Sequence, residues 1–399
     1  MKRRAFLASL GALAALAEPA AAAPAPAKPA PRRKRPANSA APAKPPVRSA
    51  SNPIIDGPPK GTSATLLPPV RAPKPPVDWT AYEIVTRVEL RGQSGPCKLW
   101  LPLSLNQDTL FQRTLSHTWE GNPTRAGMSR QPDGDLEVFE CEWADGSAGK
   151  LVLTTQVSTA DRLFDITQRT VAPEREDILR RNLRASALIP NDGPAYQLGE
   201  RIVGRVKDPV AQAKVLYDWV IDNAAYDPAL PGSGDGNVRQ QLESGQYGGR
   251  SVDINGLFVA LCRAIGIPAR CVFGLRAGAS RLFRSLGLDD SDATRGQHAR
   301  AEFYVPGYGW IPVDPSDVRR AMTLENLSDQ DSRLASLKRV LFGVWEMNWI
   351  AYNVGTDIAL DGQGETLPFL LLPRLETPNG HFDGSDPAAI QYSISARRI

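Results

Sequence analysis

Histidine is scarce in this sequence, with three residues among 399. His117, His298 and His381 are scattered and have no ligand cluster around them, so neither a metal site nor another cofactor is expected. His117 has Trp119 close by and no metal-ligand neighbour, which reads as a structural histidine. A phosphate loop of the form GxxxxGK[ST] is missing too, although the Gly-rich stretch 226–249 would be the place to look for one. Apolar runs are short: beyond the first 17 residues none approaches the roughly 20 needed to cross a bilayer. Four cysteines leave room for two disulfides at most. Cys97 and Cys141 fall in one strand-rich region and are the pair that strand pairing would bring together, while Cys262 and Cys271 sit in apolar surroundings and read as buried and inert.

What the chain does have begins with a leader. MKRRAFLASLGALAALAEPAAAA combines a basic start, an apolar run from Ala5 to Ala17 and small residues at Ala20 to Ala22, the build of a bacterial export signal. Arg3-Arg4 before Ala5-Phe6-Leu7 also resembles a twin-arginine signal. The expected location is therefore outside the cytoplasm, periplasmic or extracellular, with an uncleaved membrane anchor as the alternative. Residues 24–78 hold 16 of the 35 prolines and few large side chains, so they cannot bury enough surface to fold and read as a linker. The linker carries a net +8 and the leader +2, against +4 for the whole chain, so the remainder is near −6. A stiff basic segment after an export signal suits an anionic cell wall or membrane surface, or serves as a plain solvated spacer. Nucleic acid is not an expected partner.

From Trp79 to about Thr170, TAYEIVTRVEL, GPCKLWLPL, DLEVFECEW and GKLVLTTQV alternate with turns at Gly92–Gly95, Pro132–Gly134 and Asp145–Gly149. That pattern predicts an antiparallel β-sandwich over 79–174. The pattern becomes helical between 175 and 246: Asp208-Pro209 is a good N-cap and first-turn pair, followed by an apolar face on Val215, Leu216, Trp219 and Val220. Residues 346–399 read as a strand-rich extension that either closes the C-terminal sheet or packs back on the sandwich. Trp345, Trp349 and Tyr352 fit aromatic core packing, with a groove lining as the alternative.

The sharpest signal is YGGRSVDINGLFVALCRAIGIPARCVFGLR, residues 247–276. Ile254, Leu257, Phe258, Leu261 and Ile265 recur at helical spacing, Gly248-Gly249 break the chain before them, and Gly266 and Pro268 end the helix. A strand over 269–276 follows. Further on, HARAEFYVPGYGWIPVDPSD at 298–317 reads as a hairpin. If Tyr304 opposes Trp310, then Arg300 opposes Asp314 and His298 lies diagonal to Asp314 on one face; a turn shorter by one residue would separate them.

Together these two stretches, GIPAR and the GW-PVDP end above all, resemble the transglutaminase-like superfamily, whose catalytic layout is shared with papain-like cysteine peptidases. The likeness spans about residues 195–325. It implies an α+β fold, with a transglutaminase-like (papain-like) core at 175–345 behind the sandwich, and a peptide or amide substrate. In the family a Cys opens the helix, a His begins a strand and an Asp ends the next one. The matching positions here are Ser251, His298 and Asp314, so the nucleophile differs. The Ser251 N–H is one expected oxyanion donor, and Gln246 or Tyr247 is the candidate for a second. A serine hydroxyl does not ionise usefully near neutral pH, so it requires His298 as general base. Two readings stand: an exported hydrolase or acyl transferase with a Ser-His-Asp set, acting on peptide, amide or cell-wall substrates, and a catalytically silent member that binds such material. Ser251 as a simple helix N-cap is compatible with both.

Overall fold

The computed structural model describes residues 76–399 except 132–134, 166–168, 170 and 361–365. The leader and nearly all of the basic linker lie outside the described residues, as does the turn at Pro132–Gly134.

Alternating burial runs along Thr80–Leu90 and Lys150–Thr159, with every second side chain inward, and these strands pair antiparallel with Tyr82 opposite Val157. They are the middle of a four-stranded sheet in the order Ile390–Arg398, Thr80–Leu90, Lys150–Thr159, Gln112–Gly121. A five-stranded sheet runs Gly380–Asp383, Arg374–Thr377, Cys97–Pro102, Leu136–Trp143, Arg125–Gln131. Val88, Leu151 and Ile390 of the first sheet and Leu99, Phe139 and Leu375 of the second share one apolar core. The C-terminal residues therefore return to the sandwich: Ile394 pairs with Thr86, and Leu375 with Leu99. Two strands, Gln112–Gly121 and Arg125–Gln131, were not foreseen. Their exposed Leu115, Trp119 and Met128 obscure the alternation that a half-buried strand shows.

The suggested Cys97–Cys141 bridge does not form, and all four cysteines are free. The two strands do pair, but Cys97 opposes Trp143 while Cys141 opposes Leu99, so the thiols sit two registers apart. His117 is a structural histidine, its Nδ1 within 2.9 Å of the Thr155 hydroxyl.

Behind the sandwich, the helix Ser251–Ala264 packs on an antiparallel sheet in the order Gly309–Val313, Gln297–Val305, Ala269–Arg276, Trp349–Asn353. The helices Gly193–Val203, Pro209–Asn223, Val238–Ser244 and Pro315–Leu324 pack around it. Asp208 caps the second of these by accepting from the Ala211 N–H at 2.9 Å. The apolar stripe read on the central helix underestimates its burial. Every residue from Ser251 to Arg263 is buried, because helices cover the sides that the sheet leaves open. Trp345, Trp349 and Tyr352 are buried core side chains, with Trp345 also at the wall of a cavity of about 600 Å³.

Ile394 is 6% exposed and belongs to the cluster that joins the terminal strand to the helical core. Ile394→Ala should therefore destabilise the protein by about 2–4 kcal/mol in chemical denaturation. A change below about 0.5 kcal/mol would place that strand elsewhere.

Candidate active site

Ser251 is the first residue of the central helix, and the N-cap is Arg250. The reading of Ser251 as a capping residue is thereby corrected, since the exposed end of the helix is satisfied by another group. Asp253 accepts from the Arg250 N–H at 2.7 Å and from the Gly236 N–H at 2.8 Å. Released from capping, the Ser251 hydroxyl crosses to the neighbouring strand and accepts from the Ala299 N–H at 3.1 Å, one residue beyond His298.

The hairpin takes the register in which Tyr304 opposes Trp310, and the ladder continues to Ala301 opposite Val313. Asp314 thus leaves its strand level with Arg300 and diagonal to His298. Its carboxylate does two jobs. Oδ1 caps the helix Pro315–Leu324 by accepting from the Asp317 N–H at 3.0 Å, and Oδ2 lies 2.7 Å from His298 Nε2. Oδ1 also accepts from the Ser316 hydroxyl at 2.7 Å and from Asn255 Nδ2 at 3.2 Å. Asn255 is one helical turn after Ser251, so a single helix face presents both side chains to the hairpin. Trp349 Nε1 donates to the His298 carbonyl at 3.1 Å, and Trp345 Nε1 to that of Val313 at 3.1 Å, fixing the two strands from behind.

Around this pair lies a buried set of charges, of which sequence reasoning placed only Arg300. Asp317 Oδ1 is 3.5 Å from His298 Nε2, and its carboxylate is held by Arg276 at 2.5 and 3.2 Å. Arg300 Nε stands 3.6 Å from Asp314 Oδ2, with its guanidinium 4.8 Å over the Trp349 ring. Two carboxylates face two guanidiniums, so the cluster is neutral when the imidazole is neutral. Burial pushes the His298 pKa down, helped by Arg276 and opposed by Asp317 and Asp314. Burial works against ionised Asp317 as well, but Arg276 and His298 more than offset it and hold the carboxyl below its usual range. Burial brings Arg300 down to about 10. His298, Asp314 and Asp317 have ligand atoms within 4.8 Å of one another, a spacing that a metal ion could use. Arg276 and Arg300 already supply positive charge to those carboxylates, so the donor set does not suit a cation.

The loop before the helix is tied across the site. The Ser233 carbonyl accepts from the Val252 N–H at 2.9 Å, and the Ser233 hydroxyl donates to the Gln297 carbonyl at 2.9 Å. One residue thus links the neighbour of Ser251 to the neighbour of His298, and Ser251 and His298 are each 4% exposed. Gly234, at φ +97, is required here: a Cβ would meet the Asp253 carboxylate at 1.9 Å. Burial, with Asp235 beside it, brings the Asp253 carboxyl up to about 6 despite its two backbone donors. Outside this strap a cavity of about 680 Å³ opens, lined by Gly232–Asp235, Gln246, Gly248 and Asp253 on one wall and by Leu367–Leu372 on the other. Gln246 is exposed in it, while the Tyr247 ring lies 5.1 Å from that of Trp219. No described hydrogen bond brings either side chain to Ser251. Burial pushes the Cys262 thiol far up and Cys271 up to about 12, as befits inert core thiols.

Of the residues missed, Asn255 carried the best signal, being a polar side chain within an apolar helical stripe. Asp317 and Arg276 gave none, because each looks like an ordinary surface charge until tertiary contacts are known.

Residues 196–315 match the model of the transglutaminase-like superfamily. An uncharacterized protein of Haemophilus influenzae is 30% identical over 344 residues, covering 81% of this chain and 92% of its own length. Among solved structures, a candidate cysteine protease from Cytophaga hutchinsonii is similar at 18% identity and TM-score 0.47, over 80% of this chain and 98% of that one. The periplasmic domain of TgpA from Pseudomonas aeruginosa is similar at 20% identity and TM-score 0.32, over 61% of this chain and 93% of its own. This chain carries a transglutaminase-like superfamily domain at residues 196–315, and Ser251, His298 and Asp314 fall within it.

Two outcomes follow from the charge cluster. Asp317→Ala leaves Arg276 buried without its carboxylate and should destabilise the protein by about 3–5 kcal/mol, read by denaturant titration. For His298, the depressed pKa means that between that value and about 6.5 the unfolded chain binds a proton that the folded chain refuses. Stability therefore falls as pH drops below about 6.5 and is independent of this group above it. Asp253 acts with opposite sign, contributing stability at low pH that is lost as pH rises from about 4 to about 6. The comparison with His298→Gln isolates the histidine: the variant should show a flatter loss of stability between pH 6.5 and 5 than the parent chain.

Proposed function

We propose that this chain is an exported acyl-transfer enzyme or amide hydrolase acting on peptide substrates, cell-wall peptides among them, with Ser251 as nucleophile, His298 as general base and Asp314 as the residue that orients the base. The observation that carries the reading is the environment of His298. With Nε2 held by Asp314, the ring presents Nδ1 as the remaining nitrogen, and burial and Arg276 keep the imidazole neutral. A thiolate nucleophile is served by an imidazolium, whereas a serine needs a neutral base. As Ser251 Oγ bonds to the substrate carbonyl carbon, its proton passes to His298 Nδ1. That proton then goes to the leaving amine as the C–N bond breaks, and water or another amine takes the acyl group by the reverse steps. The apolar wall Leu367–Leu372 and the polar wall at Gln246 suit an extended peptide, and access to Ser251 requires Ser233 to leave its two anchors. The export-type leader and basic linker support action outside the cytoplasm, against an anionic wall or membrane surface.

A second reading is favoured by a different observation. Ser251 is 4% exposed and its hydroxyl already accepts from Ala299 N–H, which suits a silent site that retains the neighbouring cavity for binding peptide or wall material.

A fluorophosphonate probe on the exported chain separates the two. Labelling that disappears in Ser251→Ala supports the enzyme, while absence of Ser251-dependent labelling in the parent chain supports the binding module. Ser251→Cys should gain thiol reactivity toward iodoacetamide at least about tenfold above the parent; an unreactive cysteine there would remove Ser251 from the nucleophile position.

A further inference from the structure

At the far end of the central helix, twelve residues and therefore about 18 Å along the axis from Ser251, lies a second cavity of about 400 Å³. Its lining includes Arg180, Arg181, Arg184, Arg263 and Arg270, against two carboxylates, Asp135 and Asp177. Asp177 is already engaged by Arg175 at 2.7 and 3.1 Å. Arg270 is engaged as well, with Nε 2.5 Å from Glu302, a carboxylate that it shares with Arg162.

Arg263 is the informative member. It is 6% exposed, and its Nε and Nη1 donate to main-chain carbonyls, of Ala269 at 2.7 Å and Arg184 at 2.9 Å. Among the described residues no carboxylate forms an ion pair with it. Burial depresses its pKa to about 10, an effect that the Asp357 carboxylate, beyond ion-pair distance, opposes only in part. A guanidinium in that position is costly to the fold unless something else supplies negative charge, and the cavity beside it has a positive excess. Guanidinium forks are suited to planar or tetrahedral oxyanions, which they grip through paired N–H donors.

We propose that this cavity is a binding site for a small multivalent oxyanion, carrying phosphate or carboxylate groups, separate from the Ser251 site. The anion bridges the exposed guanidiniums of Arg180 and Arg184 to the buried charge of Arg263. The site does not depend on the catalytic or binding reading of Ser251.

Isothermal titration of the exported chain with inorganic phosphate and with citrate, each at constant ionic strength in chloride, tests this. Saturable binding of either anion at millimolar or lower concentration is expected, and which one binds assigns the group chemistry. Arg180→Gln/Arg184→Gln, at two exposed positions, should weaken it at least tenfold, while Arg113→Gln, on the edge strand of the sandwich, should leave it unchanged. No saturable binding up to 20 mM, or equal affinity in the double variant and the parent, would overturn the proposal. Thermal unfolding with and without the better anion gives an independent reading: a midpoint that rises in the parent and not in the double variant supports the site, and an equal rise in both overturns it.

Discussion

The hydrogen bond between His298 Nε2 and Asp314 Oδ2 is the interaction on which the rest of the core is arranged. Placing a carboxylate and an imidazole in a site with almost no water is unfavourable unless every charge is answered. Arg276, Arg300 and Asp317 provide that answer, and Asn255, Ser316 and the first turn of the helix Pro315–Leu324 take up the remaining lone pairs of Asp314. The result is a neutral cluster that resists protonation.

Serine at the helix start changes what the same geometry must do. A thiolate is stabilised by an imidazolium partner and a helix N-terminus, while a hydroxyl depends on a base that stays neutral until the moment of transfer. Burial and then Arg276 push in that second direction. Ser233 joins the residue after Ser251 to the residue before His298, and Ser251 is buried beside it. The glycines flanking Ser233 hold φ +57 and +97, and Gly234 packs against the Asp253 carboxylate.

Much of the architecture was legible along the chain because it is written in short periods. Thr80–Leu90, Cys97–Pro102, Leu136–Trp143 and Lys150–Thr159 announce themselves by alternation and β-branched content, and Ser251–Ala264 by its three- and four-residue apolar spacing between Gly and Pro breaks. The hairpin register was legible as a pair of alternatives, and Tyr304 opposite Trp310 is the one that keeps His298 and Asp314 on a single face. Strand Gln112–Gly121 was not legible, since it lies at an edge and exposes Leu115 and Trp119. The Cys97–Cys141 bridge failed for a related reason: two strands can be recognised as partners without their register being known, and a two-residue offset is enough to keep thiols apart.

By itself, then, the sequence determined the local elements and the charge of its N-terminal region, since each depends on residues close together along the chain. Tertiary structure decided what Ser251, His298 and Asp314 can do. It brought Arg276 and Asp317 to His298 and Asn255 to Asp314 from three separate elements, turned the Ser251 hydroxyl away from capping toward Ala299, and returned Ile390–Arg398 to a strand some 300 residues earlier. Such meetings are set by the packing of whole layers, and no local period in the chain encodes them.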